Sequence, residues 1–269
     1  MTSATAAALA AAPVQIPVAE KRNIIAVASG KGGVGKTWFS ITLAHALANS
    51  GRKALLFDGD LGLANVDVQL GATPRRDLAS VIAGEATLAQ AATPHSCGFD
   101  IIAGRSGSGG LANLAPGRLI ELRAELGRFA QGYDWVVLDL GAGIERTVRL
   151  LTREARVCLV VTTDEPTSIT DAYAYIKVTA LERLASGIQI VVNMVSNVRD
   201  GERTYSTLLR ACREFLKIEP PLAGIIRRDD RVKETIRRQV PLLMRSPTCE
   251  AADDVGTIAR RIVTDLGTR

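Results

Sequence analysis

Short apolar runs recur along the chain between longer segments of helical periodicity. Five runs of strand length are rich in valine, isoleucine and leucine and show no clean alternation with polar residues: 24–29, 54–58, 135–140, 157–163 and 188–195. This pattern is typical of strands that are buried on both faces. Two further candidate strands are 99–104 and 222–226.

Apolar residues at helical spacing fill the segments between these runs. The predicted helices are 36–49, 117–131, 166–186, 202–216 and 229–239. Strand and helix alternate through the whole chain, which predicts an α/β fold: a doubly wound, mostly parallel sheet built from right-handed βαβ units, with helices on both faces. We expect one domain over residues 23–269, after a disordered Ala-rich tail at residues 1–22 that lacks the basic start of a secretory signal.

Composition narrows the function classes only a little. Of the 269 residues 47% are hydrophobic and 4% aromatic, so the core is expected to consist of Ala, Val, Ile and Leu. No apolar run reaches the roughly 18 residues of a membrane helix. The four cysteines are scattered without a CxxC pair, which argues against a zinc site and favours a cytoplasmic protein. The net charge of +5 permits an anionic partner without demanding one.

The strongest chemical signal is a glycine-rich loop between the first predicted strand and the first predicted helix. It reads Gly30-Lys31-Gly32-Gly33-Val34-Gly35-Lys36-Thr37 and fits the pattern G-x-x-x-x-G-K-[ST]. Its glycines let backbone N–H groups turn inward around a β-phosphate at the start of a helix. Lys36 would supply charge to the β and γ oxygens, and the Thr37 hydroxyl would bind Mg²⁺. The loop therefore predicts a nucleotide site.

Carboxylates follow the second predicted strand, in the segment that contains Asp58, Asp60, Asn65 and Asp67. Residues just past the carboxyl end of a strand lie in the crevice where open α/β sheets bind ligands. We expect Asp60 to orient the hydrolytic water and Asp58 to support the Mg²⁺ shell through water, with Asn65 and Asp67 on the same switch. A helix cap is the alternative role for one such aspartate.

A second switch is predicted where the strand 135–140 ends. Apolar residues lead into Asp139, which we interpret as an outer-shell group for Mg²⁺. Gly141 and Gly143 would give the following loop the freedom to sense a γ-phosphate through backbone N–H groups. The alternative is an aspartate that merely ends a buried strand.

The phosphate loop resembles that of the deviant Walker A group, the MinD/ParA ATPases, whose pattern is KGGxGKT. The resemblance extends through nearly all of the chain from residue 23 and implies a P-loop NTPase fold of the SIMIBI class with slow, regulatory hydrolysis of ATP. In that family the early lysine of one subunit reaches the phosphates of the other in a homodimer. By resemblance Lys31 would act in trans, the alternative being a solvated loop lysine.

Two segments are similar to the flagellar number regulators FlhG/FleN. Residues 60–71 read DLGLANVDVQLG, a motif with a close relative in MinD, and residues 161–173 read VTTDEPTSITDAY, which is more specific. The resemblance implies a regulator of flagellar number, placement and gene expression, acting on a flagellar assembly protein or transcription activator, in the cytoplasm and at the inner membrane or cell pole. The alternative is a MinD-like or ParA-like ATPase that positions the division site, DNA or other cargo. An iron–sulfur carrier, which shares the loop, is disfavoured because the switch 139–143 has no cysteine.

The chain departs from the family pattern around the expected base site. Asn193 lies where the family places an adenine-contacting asparagine, and its amide can both donate and accept. Trp38 replaces a small or amide residue after the loop, and Arg227 stands where a proline is common, so the nucleotide preference stays open. Residues 1–22 lack the motif with which some FlhG proteins stimulate the GTPase FlhF.

Two segments have competing interpretations that involve membranes or nucleic acid. The amphipathic pattern at 255–266 could be an interfacial membrane anchor or the last helix that covers the sheet, and we favour the covering helix. The stretch 227–238 has six basic and three acidic side chains, and it could contact DNA phosphates or form a solvated helix face. The glycine-rich segment 105–110 could be a spacer or a site of close backbone approach.

Overall fold

The computed structural model describes residues 23–105, 115–182 and 187–267. The predictions about the tail at 1–22, about the glycines at 107–110 and about the end of the helix 166–186 concern residues outside these ranges.

Strands in the described residues form a single eight-stranded sheet. They are β1 (Ile24–Ser29), β2 (Ala54–Gly59), β3 (Thr93–Pro94), β4 (Asp100–Ile102), β5 (Trp135–Ala142), β6 (Val157–Thr162), β7 (Ile188–Val195) and β8 (Leu222–Arg227). Their order is β3-β4-β2-β5-β1-β6-β7-β8. Only β3 and β4 pair antiparallel, and the other neighbours are parallel.

Helices connect these strands. The α-helices in the described residues are α1 (Lys36–Asn49), α2 (Val66–Leu70), α3 (Leu78–Ile82), α4 (Leu88–Ala91), α5 (Pro116–Phe129), α6 (Arg146–Thr152), α7 (Pro166–Leu181), α8 (Val198–Ala211), α9 (Asp230–Arg238), α10 (Leu242–Arg245) and α11 (Glu250–Gly267). A short 3₁₀ turn (Ala130–Gly132) extends α5, and a π-helical turn (Cys212–Leu216) extends α8.

The strands send alternate side chains into two apolar layers, one on each face of the sheet. In β1, Ile25 and Val27 belong to the layer with α1 and α11, while Ile24 and Ala26 belong to the layer with α5 and α7. A strand that is buried on both faces must be apolar at nearly every position, which is the pattern seen in the sequence. The predicted doubly wound α/β fold is confirmed.

The last helix, α11, covers the sheet. Its apolar residues Val255, Ile258 and Ile262 are buried in the same layer as α1. The face that was a candidate membrane anchor is therefore used inside the protein, and the covering-helix alternative is the one that the structure shows. Within the described residues no helix is both long and apolar enough to cross a membrane.

Several boundaries differ from those predicted. The helix predicted from residue 202 begins at Val198, where the Asn197 side chain caps the first turn by accepting from Asp200 N. β5 continues to Ala142, so Gly141 lies in the strand and only Gly143, with φ of 92°, lies in the turn that follows. The short helices α2, α3, α4, α6 and α10 were not predicted.

Candidate nucleotide-binding site

A cavity of about 600 Å³ opens at the carboxyl ends of the central strands. The phosphate loop and the start of α1 form one wall, through Gly32, Gly33, Gly35, Lys36, Thr37 and Trp38. The segments that follow β2 and β5 form another wall, which includes Asp60, Asn65 and Gly141. The topology thus brings both predicted switches to the loop that they were expected to serve.

The phosphate loop is held in a conformation that needs glycine. Gly33 and Gly35 have φ of 79° and 86°, in the left-handed region that disfavours side chains. A Cβ on Gly35 would also lie 2.6 Å from the amide nitrogen of Asn193. That amide donates to Val34 O at 2.8 Å and so ties the loop to the end of β7.

Lys36 reaches back into the loop from the first turn of α1. Its Nζ donates to the Ser29 hydroxyl at 3.0 Å, and the side chain is buried. Burial lowers the pKa of Lys36, and the nearby carboxylates of Asp139 and Asp60 oppose that shift. The ammonium therefore lies in a water-poor setting where a phosphate would be a strong partner.

Asp139 lies within β5, between Asp58 of β2 and Val27 of β1. Its carboxylate accepts from the Ser40 hydroxyl at 3.0 Å and lies beside the Thr37 hydroxyl. Burial raises the pKa of Asp139, while these hydrogen bonds and Lys36 pull it back. Thr37, the predicted Mg²⁺ ligand, thus lies next to the predicted outer-shell carboxylate.

Asp58 is fully buried and organises the first switch. One carboxylate oxygen accepts from Asp60 N, and the other accepts from the backbone N–H groups of Asn65 and Val66, all at 3.1 Å. Burial and the charge of Asp139 raise the pKa of Asp58, against the effect of these hydrogen bonds. Asp58 therefore shapes the loop that carries Asp60, while its role toward Mg²⁺ stays a prediction.

Asp60 is the carboxylate of this switch that faces the cavity. Its Oδ1 accepts from Gly62 N at 3.2 Å and Leu63 N at 2.9 Å. A Cβ on Gly141 would lie 3.3 Å from the same oxygen, so the two switches meet at this point. Asn65 lines the cavity as well, whereas Asp67 belongs to α2 and accepts from Val68 N at 2.8 Å.

The predicted base site is organised differently from the expectation. Asn193 is buried, with its amide nitrogen on Val34 O and its amide oxygen accepting from Met194 N at 2.9 Å. Met194, with φ of 60°, lines the cavity in its place. Contact between Asn193 and an adenine stays a prediction.

Trp38 and Arg227, the two residues that depart from the family pattern, lie in different surroundings. Trp38, in the first turn of α1, lines the cavity and is otherwise packed in the apolar layer that contains α1 and α11. Arg227 instead binds α11: its N, Nε and Nη2 donate to Asp254 at 2.9 to 3.0 Å, and its Nη1 donates to Glu250. Arg227 therefore fixes β8 to the last helix.

Sequence reasoning missed part of the lining. Residues of α2, α6 and α9 and their caps complete the cavity, among them Gln69, Glu145, Thr147, Val148 and Ile236. The short helices α2 and α6 have no periodic signal. Ile236 lies in the stretch 227–238, whose many basic residues suggest a solvated or DNA-contacting face and not the wall of a cavity.

Lys31 has a different position from Lys36. It is not among the residues that line the cavity, and its ammonium donates to Glu165 Oε2 and Thr167 Oγ1 at the start of α7, each at 2.9 Å. Although only four residues lie between the two lysines, they point to different parts of the molecule.

The donor set at the loop fits a hard cation beside phosphates. The Thr37 hydroxyl lies beside Asp139, and Asp60 lines the same cavity, so oxygen ligands of the kind that Mg²⁺ prefers converge here. Among the described residues no group of three or more His, Cys, Asp and Glu side chains forms a complete metal cage. Such a site requires the phosphates of a nucleotide to complete it.

The sequence matches one family of nucleotide-binding domains and is similar to an antiactivator and to a flagellum site-determining protein. The family model described as the CobQ/CobB/MinD/ParA nucleotide binding domain matches residues 25–242. The chain is 36% identical to the antiactivator FleN of Pseudomonas aeruginosa, over 89% of this chain and 86% of that protein. It is 31% identical to the flagellum site-determining protein YlxH of Helicobacter pylori, over 91% of this chain and 83% of that protein.

A solved structure agrees with these matches. The septum site-determining protein MinD of Pyrococcus horikoshii, complexed with Mg-ADP, superposes with a TM-score of 0.75 at 26% identity. The similarity covers 89% of this chain and 95% of that one.

Proposed function

Because the chain belongs to the CobQ/CobB/MinD/ParA nucleotide-binding family, we propose that it is an ATP-dependent switch that pairs with a second copy of itself and regulates flagella. The chain is an ATPase of this family, and ATP and Mg²⁺ are its ligands; these predictions from the sequence are confirmed. The flagellar assignment is supported by the two similar proteins named antiactivator FleN and flagellum site-determining protein YlxH. The proposed partner is a flagellar assembly protein or a transcription activator, met in the cytoplasm, at the inner membrane or at the cell pole.

One observation carries the pairing step: the two lysines of the phosphate loop have separate positions. Lys36 is buried in the loop of its own subunit, next to the cavity. Lys31 lies outside the cavity with its side chain 37% exposed, so a second molecule can reach it where it pairs with Glu165. We assign Lys36 to the phosphates of its own subunit and Lys31 to those of the partner.

The remaining side chains supply hydrolysis and reset. Bound Mg²⁺ would neutralise charge on the β- and γ-phosphates beside Thr37 and Asp139. Asp60 faces the cavity and orients the attacking water, and Gly141 lets the second switch approach Asp60 closely. Hydrolysis then removes the phosphate that holds both switches and the pair separates.

The test is the variant Lys31→Ala. We expect it to bind ATP, because Lys36 and the loop are unchanged, and to stay a monomer in size-exclusion chromatography with ATP and Mg²⁺. Lys53→Ala, which removes an equally basic side chain outside the cavity, is the matched control and should pair like the wild type. An ATP-dependent dimer of Lys31→Ala would refute the role in trans.

The second candidate is a MinD-like or ParA-like positioning ATPase, which the similarity to the Pyrococcus horikoshii protein keeps in consideration. Affinity capture with the ATP-loaded protein, and with the ADP-loaded protein as control, separates the two. Recovery of flagellar proteins or a transcription activator with ATP alone supports the first function, and recovery of division or cargo proteins supports the second.

A further inference from the structure

The side chain of Lys31 is bound to its own subunit. Its ammonium donates to Glu165, the N-cap residue of α7, and to the hydroxyl of Thr167 in the first turn of that helix. The Lys31 charge lowers the pKa of Glu165, as expected for a carboxylate that accepts from an ammonium. Both acceptors come from a segment 134 to 136 residues away in the chain.

The start of α7 is fixed relative to the phosphate loop. The Ser168 hydroxyl accepts from Thr163 N and bonds the Thr162 hydroxyl, both at 3.0 Å, which anchors the helix to the end of β6. Gly30 packs against the backbone of α7 so closely that a Cβ there would lie 2.0 Å from Asp171 O. Glu165 and Thr167 are therefore held within reach of Lys31 before any partner arrives.

The backbone of Lys31 is held as well. The Ser29 hydroxyl donates to Lys31 O at 2.6 Å and accepts from Lys36 Nζ at 3.0 Å. One hydroxyl thus fixes the backbone of Lys31 and the ammonium of Lys36. With the backbone fixed, the direction of the Lys31 side chain depends on its acceptors.

We propose that Glu165 and Thr167 are positioning residues that hold the trans-acting Lys31 on its own subunit and so set the ATP concentration at which two copies pair. This inference rests on the proposed function. The ammonium gives up both bonds when it turns to the phosphates of a second, nucleotide-loaded copy. Phosphates carry more charge than the Glu165 carboxylate and the Thr167 hydroxyl offer, so the loaded partner wins the competition and an empty partner does not.

The contact between Lys31 and Glu165 is expected to be strong enough to shift the ATP concentration at which two copies pair, and too weak to prevent pairing. The Lys31 and Glu165 side chains are 37% and 64% exposed, so water and salt weaken their attraction. Exposed ion pairs typically change an equilibrium by about two- to fivefold. The contact therefore tunes pairing without preventing it.

The experiment measures the ATP concentration at half-maximal dimer, by sedimentation velocity at one protein concentration. Glu165→Gln removes the charge of the acceptor and should lower that midpoint by about two- to fivefold. Thr167→Val removes the other acceptor without a change of charge and should shift the midpoint in the same direction by less. Asp164→Asn removes an equal charge one residue earlier and should leave the midpoint at its wild-type value.

A second readout separates positioning from general damage to the site. ATP affinity, measured by equilibrium dialysis at protein concentrations where the chain is monomeric, should be the same in all four proteins. Suppose that Lys31→Ala abolishes the dimer but the midpoint of Glu165→Gln is unchanged or raised. That result would overturn this inference alone. A dimer that forms equally well with Lys31→Ala would overturn the proposed function instead.

Discussion

At the scale of single residues, two glycines of the phosphate loop have different reasons for lacking a side chain. A Cβ at Gly30 would meet the backbone of Asp171 at 2.0 Å, whereas a Cβ at Gly32 would meet nothing within 4 Å. Gly32 nevertheless lines the cavity, where the phosphates are proposed to lie. The first glycine serves packing, and the second serves the ligand.

This difference predicts opposite defects. Gly30→Ala should destabilise the fold by about 1 to 3 kcal/mol, because rigid backbone must move to admit the methyl group. Gly32→Ala should change the free energy of unfolding by less than about 0.5 kcal/mol, and should weaken ATP binding because its methyl group enters the cavity. Urea unfolding without nucleotide and calorimetric titration with ATP check the pair. Equal stability of the two variants would contradict the packing role of Gly30.

Asp60 gives a second prediction at this scale. Because Asp60 faces the cavity and orients the attacking water, Asp60→Ala should slow phosphate release by roughly 10²-fold or more and leave the ATP dimer trapped. Asp164→Ala is the matched control, since Asp164 is exposed and does not line the cavity. Phosphate release measured in parallel with dimer content distinguishes them, and wild-type turnover in Asp60→Ala would remove Asp60 from its assigned role.

At the scale of elements, long periodic segments were predictable and short ones were not. The central strands could be identified because both of their faces are buried, which requires valine, isoleucine and leucine at nearly every position. Helices such as α2 and α4, with five and four residues, complete too few turns to show a period. The loop residues of the site followed from a local motif, while the contact between Lys31 and Glu165 joins distant parts of the chain and has no local pattern.

The edge strand β8 offers an element-scale prediction. It is the last strand of the sheet, and Asp254 of α11 accepts three hydrogen bonds from Arg227 at its end. Asp254→Ala should lower the free energy of unfolding by about 1 to 3 kcal/mol, because a backbone N–H and a half-buried guanidinium lose their acceptor. Glu250→Ala is the control, since it removes a more exposed partner of the same arginine and should cost less than about 1 kcal/mol. Chemical denaturation measures both, and equal costs would show that α11 does not hold β8 through Asp254.

At the scale of the whole molecule, ligand binding and pairing should leave separate marks on thermal stability. Any ligand that binds only the folded state raises Tm, but only association of folded copies makes Tm depend on protein concentration. The positions of Lys36 and Lys31, one beside the cavity and one outside it, assign these two effects to different side chains. Wild-type protein with ATP and Mg²⁺ should therefore show a Tm that rises with protein concentration.

Lys31→Ala should lose that concentration dependence and keep the increase in Tm that ATP gives at low protein concentration. ADP should raise the Tm of both proteins independently of their concentration, because the γ-phosphate that would hold the switches is missing. Differential scanning calorimetry over a hundredfold range of protein concentration checks all of these outcomes. A wild-type Tm that is flat over that range with ATP would mean that ATP binds without pairing two copies, and the switch would then have to act as a monomer.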